Sequence, residues 1–132
     1  MAAHYALPIL SQAVYSAGMT MPRAMTEQTY FVLTALLDGP LHGYAVIKRV
    51  EDLSQARVRL AAGTLYAALD RLNDEGLVAV RNEETVNGRA RRYYGLTDEG
   101  TAALRAEADR MTHAARLVSD RRMRQALVVK PA

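Results

Sequence analysis

Three arginines crowd the short stretch Asn87-Gly-Arg-Ala-Arg-Arg92, and two hydroxyls, Thr64 and Tyr66, follow Gly63. These are groups that hold anions. A guanidinium forks onto a phosphate, and a hydroxyl donates to a phosphate oxygen or to a base edge. Gly63 lets a backbone come close to whatever is bound. The chemistry they support is non-covalent recognition of a polyanion. Reaction chemistry has no foothold. There is no glycine-rich phosphate loop before a helix, no nucleophile elbow and no His-Glu-x-x-His pair. His4, His42 and His113 are far apart in the chain. Asp109 and His113, four apart, could share a metal, but such single pairs are usually surface polar residues. No metal site, no cofactor and no enzymatic activity is expected, and His42-Gly43 reads as the start of a helix.

The elements that must position these groups follow from pattern. Thr26 is a helix cap with Glu27 behind it. Tyr30, Leu33, Leu36 and Leu37 form the apolar stripe of this first helix, widened by Phe31 and Val32, and Asp38-Gly39-Pro40 stops it. A second helix is expected over 43–53, with Tyr44, Ile47 and Val50 at helical spacing and Lys48, Arg49 and Glu51 on its polar side. Residues 54–60 form a connector carrying Arg57 and Arg59. A third helix over 62–75 buries Leu65, Ala68, Leu69 and Leu72 on one face. Gly63 and Ala67 project opposite that face, with Thr64, Tyr66 and Arg71 on its flanks. Gly76 ends it.

A strand over 77–81, a turn at Asn87-Gly88 and a strand over 91–96 make a hairpin, because both turn residues accept positive φ. Arg92, Tyr94 and Leu96 share one side of the second strand. Thr97-Asp98-Glu99 caps a last helix expected over 98–127, where Leu104, Ala108, Met111, Ala115 and Val118 follow the 4-3-4-3 spacing of a helix pair; Arg122 interrupts the repeat.

The predicted architecture is mainly α with a small β-hairpin: a winged helix-turn-helix plus a long C-terminal dimerisation helix. It divides into an N-terminal arm (1–25), a DNA-binding unit (26–97) and a dimerisation helix with tail (98–132). Charge runs are usually solvated faces, but Arg89, Arg91 and Arg92 stand at a hairpin tip beside a candidate recognition helix. There they can grip phosphates or enter a minor groove. Arg89, leaving the turn directly after Gly88, is the best placed. Gly63 and Thr64 can be read as a helix start alone. That reading leaves unexplained why the exposed face stays small at Gly63 and Ala67.

Bulk properties agree. A chain of 132 residues, half of them hydrophobic, suits one core. The net charge of +3 is only mildly basic, so the clustering of arginine carries more weight than the total. The absence of cysteine excludes disulfides, thiolate chemistry and cysteine zinc sites and fits a reducing cytoplasm. Residues 2–17 are apolar but lack a basic leader and are broken by His4, Pro8, Ser11 and Gln12, a poor match to a signal peptide. No run approaches the roughly 20 apolar residues of a membrane span. Within the arm, Pro8 can open a short helix that places Leu10, Ala13, Val14 and Ala17 on one face and ends at Gly18. Met19, Met21 and Met25 leave a later start site open.

Leu41-His-Gly-Tyr44, Gly63-Thr-Leu-Tyr66 with Ala68-Leu69 and Arg71-Leu72, Gly76-Leu77, Gly88-Arg89 with Arg92-Tyr93-Tyr94, and Leu96-Thr97 with Gly100 together resemble the PadR family of transcriptional regulators over about residues 26–119. The resemblance implies a winged-helix homodimer, usually a repressor, joined through its C-terminal helix. It implies double-stranded DNA as partner, through inverted-repeat operators with ATGT and ACAT half-sites, and varied small-molecule effectors. It places Tyr44, Thr64 and Tyr66 near DNA and Gly88 and Arg89 in the wing. The full expected DNA-binding set is Tyr44, Lys48, Arg59, Gly63, Thr64, Tyr66, Gly88, Arg89 and Arg91. The single C-terminal helix resembles the short subgroup, and without tryptophan an indole-walled ligand slot at the dimer centre is not available. A winged-helix interaction module without DNA binding is the competing function. Glu83, Glu84, Asp70 and Asp74 favour it, and the tip arginines count against it.

Overall fold

The computed structural model describes residues 25–129. The short helix expected within the N-terminal arm, and the last residues of the tail, lie outside that range. Helix α1 spans Glu27–Ala35; the Thr26 hydroxyl caps it by accepting from the Thr29 amide at 3.1 Å. It ends two residues before its apolar run does, and Leu37 is exposed, contrary to the expected stripe. Strand β1, Leu41–His42, comes next, and helix α2 runs over Gly43–Leu53. Its cap is the His42 ring, whose Nδ1 accepts from the Ala45 amide at 3.3 Å. Val46 and Val50 face inward, while Tyr44 points out.

The turn into the next helix uses two consecutive left-handed non-glycine residues, Gln55 (φ 54°) and Ala56 (φ 65°). Such backbone costs roughly 1–2 kcal/mol per residue. The buried Ser54 hydroxyl braces it, accepting from the Val58 amide at 2.9 Å. Helix α3 then spans Ala62–Asp74, with Leu65, Leu69 and Leu72 fully buried.

Strands β2 (Val78–Val86) and β3 (Arg89–Leu96) form the wing. Both are longer at the tip than expected. The turn is only Asn87 (φ 52°) and Gly88 (φ 75°), so pairing continues to Val86 opposite Arg89. The twist of such a turn matches that of its flanking strands. A bulge between Val80 and Asn82 shifts the register. The sheet has three strands in the order β1-β3-β2 rather than two, because Leu41 and His42 pair antiparallel with Tyr94 and Tyr93. Two residues are too few to show a strand periodicity, so β1 leaves no pattern in the sequence.

Helix α4 spans Asp98–Val129. The Thr97 hydroxyl accepts from the Gly100 amide at 2.9 Å and donates to the Gly76 carbonyl at 2.6 Å, which ties the helix start to the end of α3. Gly100 packs so closely that a Cβ there would sit 1.9 Å from the Leu77 carbonyl oxygen. Leu104 enters the core with Val32 and Leu33 of α1, Leu36 directly after it, Val46 and Val50 of α2, the α3 leucines, Val58, Leu60, Val78 and Tyr94. Each fully buried Val or Leu side chain contributes about 1.5–3 kcal/mol relative to exposure. That core fixes how α3 and the wing sit beside each other. From Asp109 to Val128 every described side chain of α4 is exposed.

Candidate nucleic-acid interface

Burying Leu65, Leu69 and Leu72 turns the opposite side of α3 outward. Gly63, Thr64, Tyr66, Ala67 and Asp70 are all exposed on it. No heavy atom lies within 4 Å of where a Gly63 Cβ would stand, so no internal packing demands a glycine there. Tyr66 is held differently. Its ring lies over the start of α2, and a Cβ on the buried Gly43 would come 2.6 Å from its hydroxyl oxygen. A side chain at the first position of α2 would push this ring out of its place. The Tyr66 side chain is therefore positioned by the fold, yet it remains 46% exposed.

Between this face of α3 and the inner side of the wing lies an open cleft of about 880 Å³, lined by His42, Tyr44, Tyr66, Asp70, residues 86–87, residues 89–92 and Tyr94. It brings together Tyr44, Tyr66, Arg89 and Arg91 of the expected set. Gly63 and Thr64 stand at the start of α3 without lining it, Gly88 closes the wing tip, and Lys48 and Arg59 do not line it either.

His42, Asp70 and Arg92 join the cleft beyond the sequence expectation. Arg92 had a readable signal: it alternates onto the side of Tyr94, which is buried toward the helices. His42 had none, because its place depends on β1. Its ring stands edge-on to Tyr93, with centroids 5.5 Å apart.

The wing is a ladder of charges. Arg91 lies 3.8 Å from Glu84, and Arg92 lies 3.8 Å from Glu83. Tyr93 donates to Glu84 at 2.6 Å. Glu83 and Glu84 are thus partners of the arginines across the hairpin, not a free acidic face of the kind a protein-interaction module would present. Exposed pairs of this kind contribute about 0–1 kcal/mol, so a phosphate can take over either guanidinium at little cost. Arg89 has no ion-pair partner among the described residues. Elsewhere Arg59 rests 3.7 Å from Glu51, Arg57 2.9 Å from Glu27, and Lys48 is exposed. Arg71 donates to the buried Thr29 hydroxyl at 2.9 Å and pins α3 against α1.

Of the residues expected at a dimer seam, Leu104 is only 4% exposed, within the core of its own chain. Ala108 is half-buried, and Met111, Ala115 and Val118 are exposed. Among the described residues, no three His, Asp or Glu side chains gather as metal ligands. No described helix is long and apolar enough to cross a membrane.

The transcriptional regulator PadR-like family model matches residues 32–106. The chain is 45% identical over 80 residues to an uncharacterized 37.1 kDa protein in a transposon of Streptomyces fradiae, covering 61% of this chain but only 21% of that protein. It is 37% identical over 87 residues to a transcriptional regulator of Mycobacterium tuberculosis, covering 66% of this chain and 78% of that one. Among solved structures, Bacillus subtilis PadR in complex with operator DNA superposes with a TM-score of 0.53 at 26% identity, over 58% of this chain and 44% of that one.

Proposed function

The chain belongs to the PadR-like family of transcriptional regulators, and from that membership we propose that it is a sequence-specific DNA-binding repressor. It acts as a homodimer on an inverted-repeat operator in the cytoplasm and is released by a small-molecule effector. Residues 26–97 are the DNA-binding unit, residues 98–132 the dimerisation helix and tail, and residues 1–25 an arm. One observation carries the DNA reading. The outward face of α3 is small and uncovered at Gly63 and Ala67, and it stands beside a cleft whose far wall holds Arg89, Arg91 and Arg92.

A helix start enters a major groove in this way, while flanking arginines take the backbone. Thr64 is assigned to a base edge or phosphate, Tyr44 and Tyr66 to phosphates, and Gly88, Arg89 and Arg91 to the wing contact; Lys48 and Arg59 extend the positive surface. The operator complex of the B. subtilis relative supports DNA as the partner.

The test is fluorescence anisotropy of the protein on its own upstream DNA and on scrambled DNA, across a salt series. A specific complex binds the upstream DNA at least about 10³-fold tighter and weakens as salt rises. Equal, negligible binding to both DNAs would return the assignment to an interaction module.

A further inference from the structure

Arg122 lies in line with the exposed stripe of α4, where a helix seam wants an apolar side chain, and it has no ion-pair partner among the described residues. Glu107 is the acid on the same stripe, at the point where α4 leaves the body of the protein. Its side chain is 14% exposed, and one carboxylate oxygen, Oε1, accepts from Nε and Nη2 of Arg110. The two charged residues are equally distant along the helix from a point between Ala114 and Ala115. So are Met111 and Val118. At about 100° per residue, Glu107, Met111, Ala114, Ala115, Val118 and Arg122 all fall on one side of the helix.

We propose that a second copy of this chain lies antiparallel along this stripe. Its two-fold axis passes between Ala114 and Ala115, so that Glu107 meets the partner's Arg122 and Arg122 meets the partner's Glu107. This rests on the homodimer reading and adds its direction and register. A two-fold interface is self-complementary, and this register satisfies that at every level. The two alanines at the centre let the helices approach closely. Met111 packs against the partner's Val118 on either side. The opposite charges close both ends.

A parallel in-register pair would instead set Arg122 against the partner's Arg122, and Glu107 against the partner's Glu107, which costs rather than stabilises. Sliding the antiparallel pair by one helical turn leaves Arg122 facing an apolar residue. Charge therefore selects one arrangement among those the apolar stripe alone permits, as a polar group in a coiled-coil seam selects register.

These 132 residues include no cysteine, so disulfide trapping reads the register directly. Met111→Cys and Val118→Cys proteins, mixed and oxidised, should form a linked heterodimer, while each variant alone should stay unlinked. Independently, Glu107→Arg or Arg122→Glu alone should raise the dimer dissociation constant about tenfold or more, and the double variant should restore it. Linking of either cysteine variant alone shows a parallel pair and overturns the proposal. An unlinked mixture, or single charge reversals without effect, overturns the register while the dimer stands. A wild-type monomer at micromolar concentration removes both.

Discussion

At the residue scale, the groups assigned to DNA differ in how firmly the fold holds them. The Tyr66 ring sits over Gly43, whereas Thr64 stands free at the start of α3. Tyr66→Phe deletes only a hydroxyl and should lower affinity evenly over all sequences. Thr64→Ala should lower discrimination at one half-site position by about 1–3 kcal/mol if the hydroxyl meets a base, and should act evenly if it meets phosphate. Competition binding against single-base operator variants distinguishes these outcomes. Operator binding by both variants that matches the parent defeats the recognition role of this helix start. In the wing, Arg89→Ala with Arg91→Ala should make the slope of log K against log salt shallower by about 0.9 for each phosphate no longer neutralised. An unchanged slope puts the hairpin away from DNA.

At the element scale, the recognition helix, the wing and the long helix meet at one joint. Thr97 bridges the end of α3 and the start of α4, and Gly100 presses on the Leu77 carbonyl. Gly100→Ala forces a methyl into backbone that has no room to yield and should cost about 3 kcal/mol. Thr97→Val removes the cap and should cost about 1 kcal/mol. Urea unfolding at fixed protein concentration measures both, and a Gly100→Ala midpoint equal to wild type would contradict the close packing. The connector between α2 and α3 shows why some elements were hidden. Its tight turn is built on Gln55 and Ala56, residue types that carry no turn signal, and it persists because Ser54 and the buried Val58 and Leu60 hold it in place.

At the scale of the molecule, α4 has two jobs along its length. Its first turns complete the core through Leu104, and the rest stands clear of it. A chain ending at Gly100 loses Leu104 and is expected to be insoluble or unfolded, which would say nothing of assembly. A chain ending at Ala108 keeps that leucine and should fold as a monomer with weakened operator binding. Analytical ultracentrifugation beside circular dichroism checks both, and a folded dimer from the chain ending at Ala108 would place the dimer seam outside the distal helix.

Within residues 25–129 the sequence alone determined the helices, the hairpin and their order, and it pointed to the family, because helix caps, the Asn87-Gly88 turn and the apolar periods are local signals written within a few residues. It also placed Tyr44, Tyr66, Arg89 and Arg91 among the interface candidates. Only the tertiary structure decided that Asp70 and His42 share their cleft, that Glu83 and Glu84 partner the wing arginines, and that Leu104 serves its own core. Each of these depends on strand register or on the packing of elements distant in the chain. Such relations arise from the closing of one core and leave no period to read along a single element.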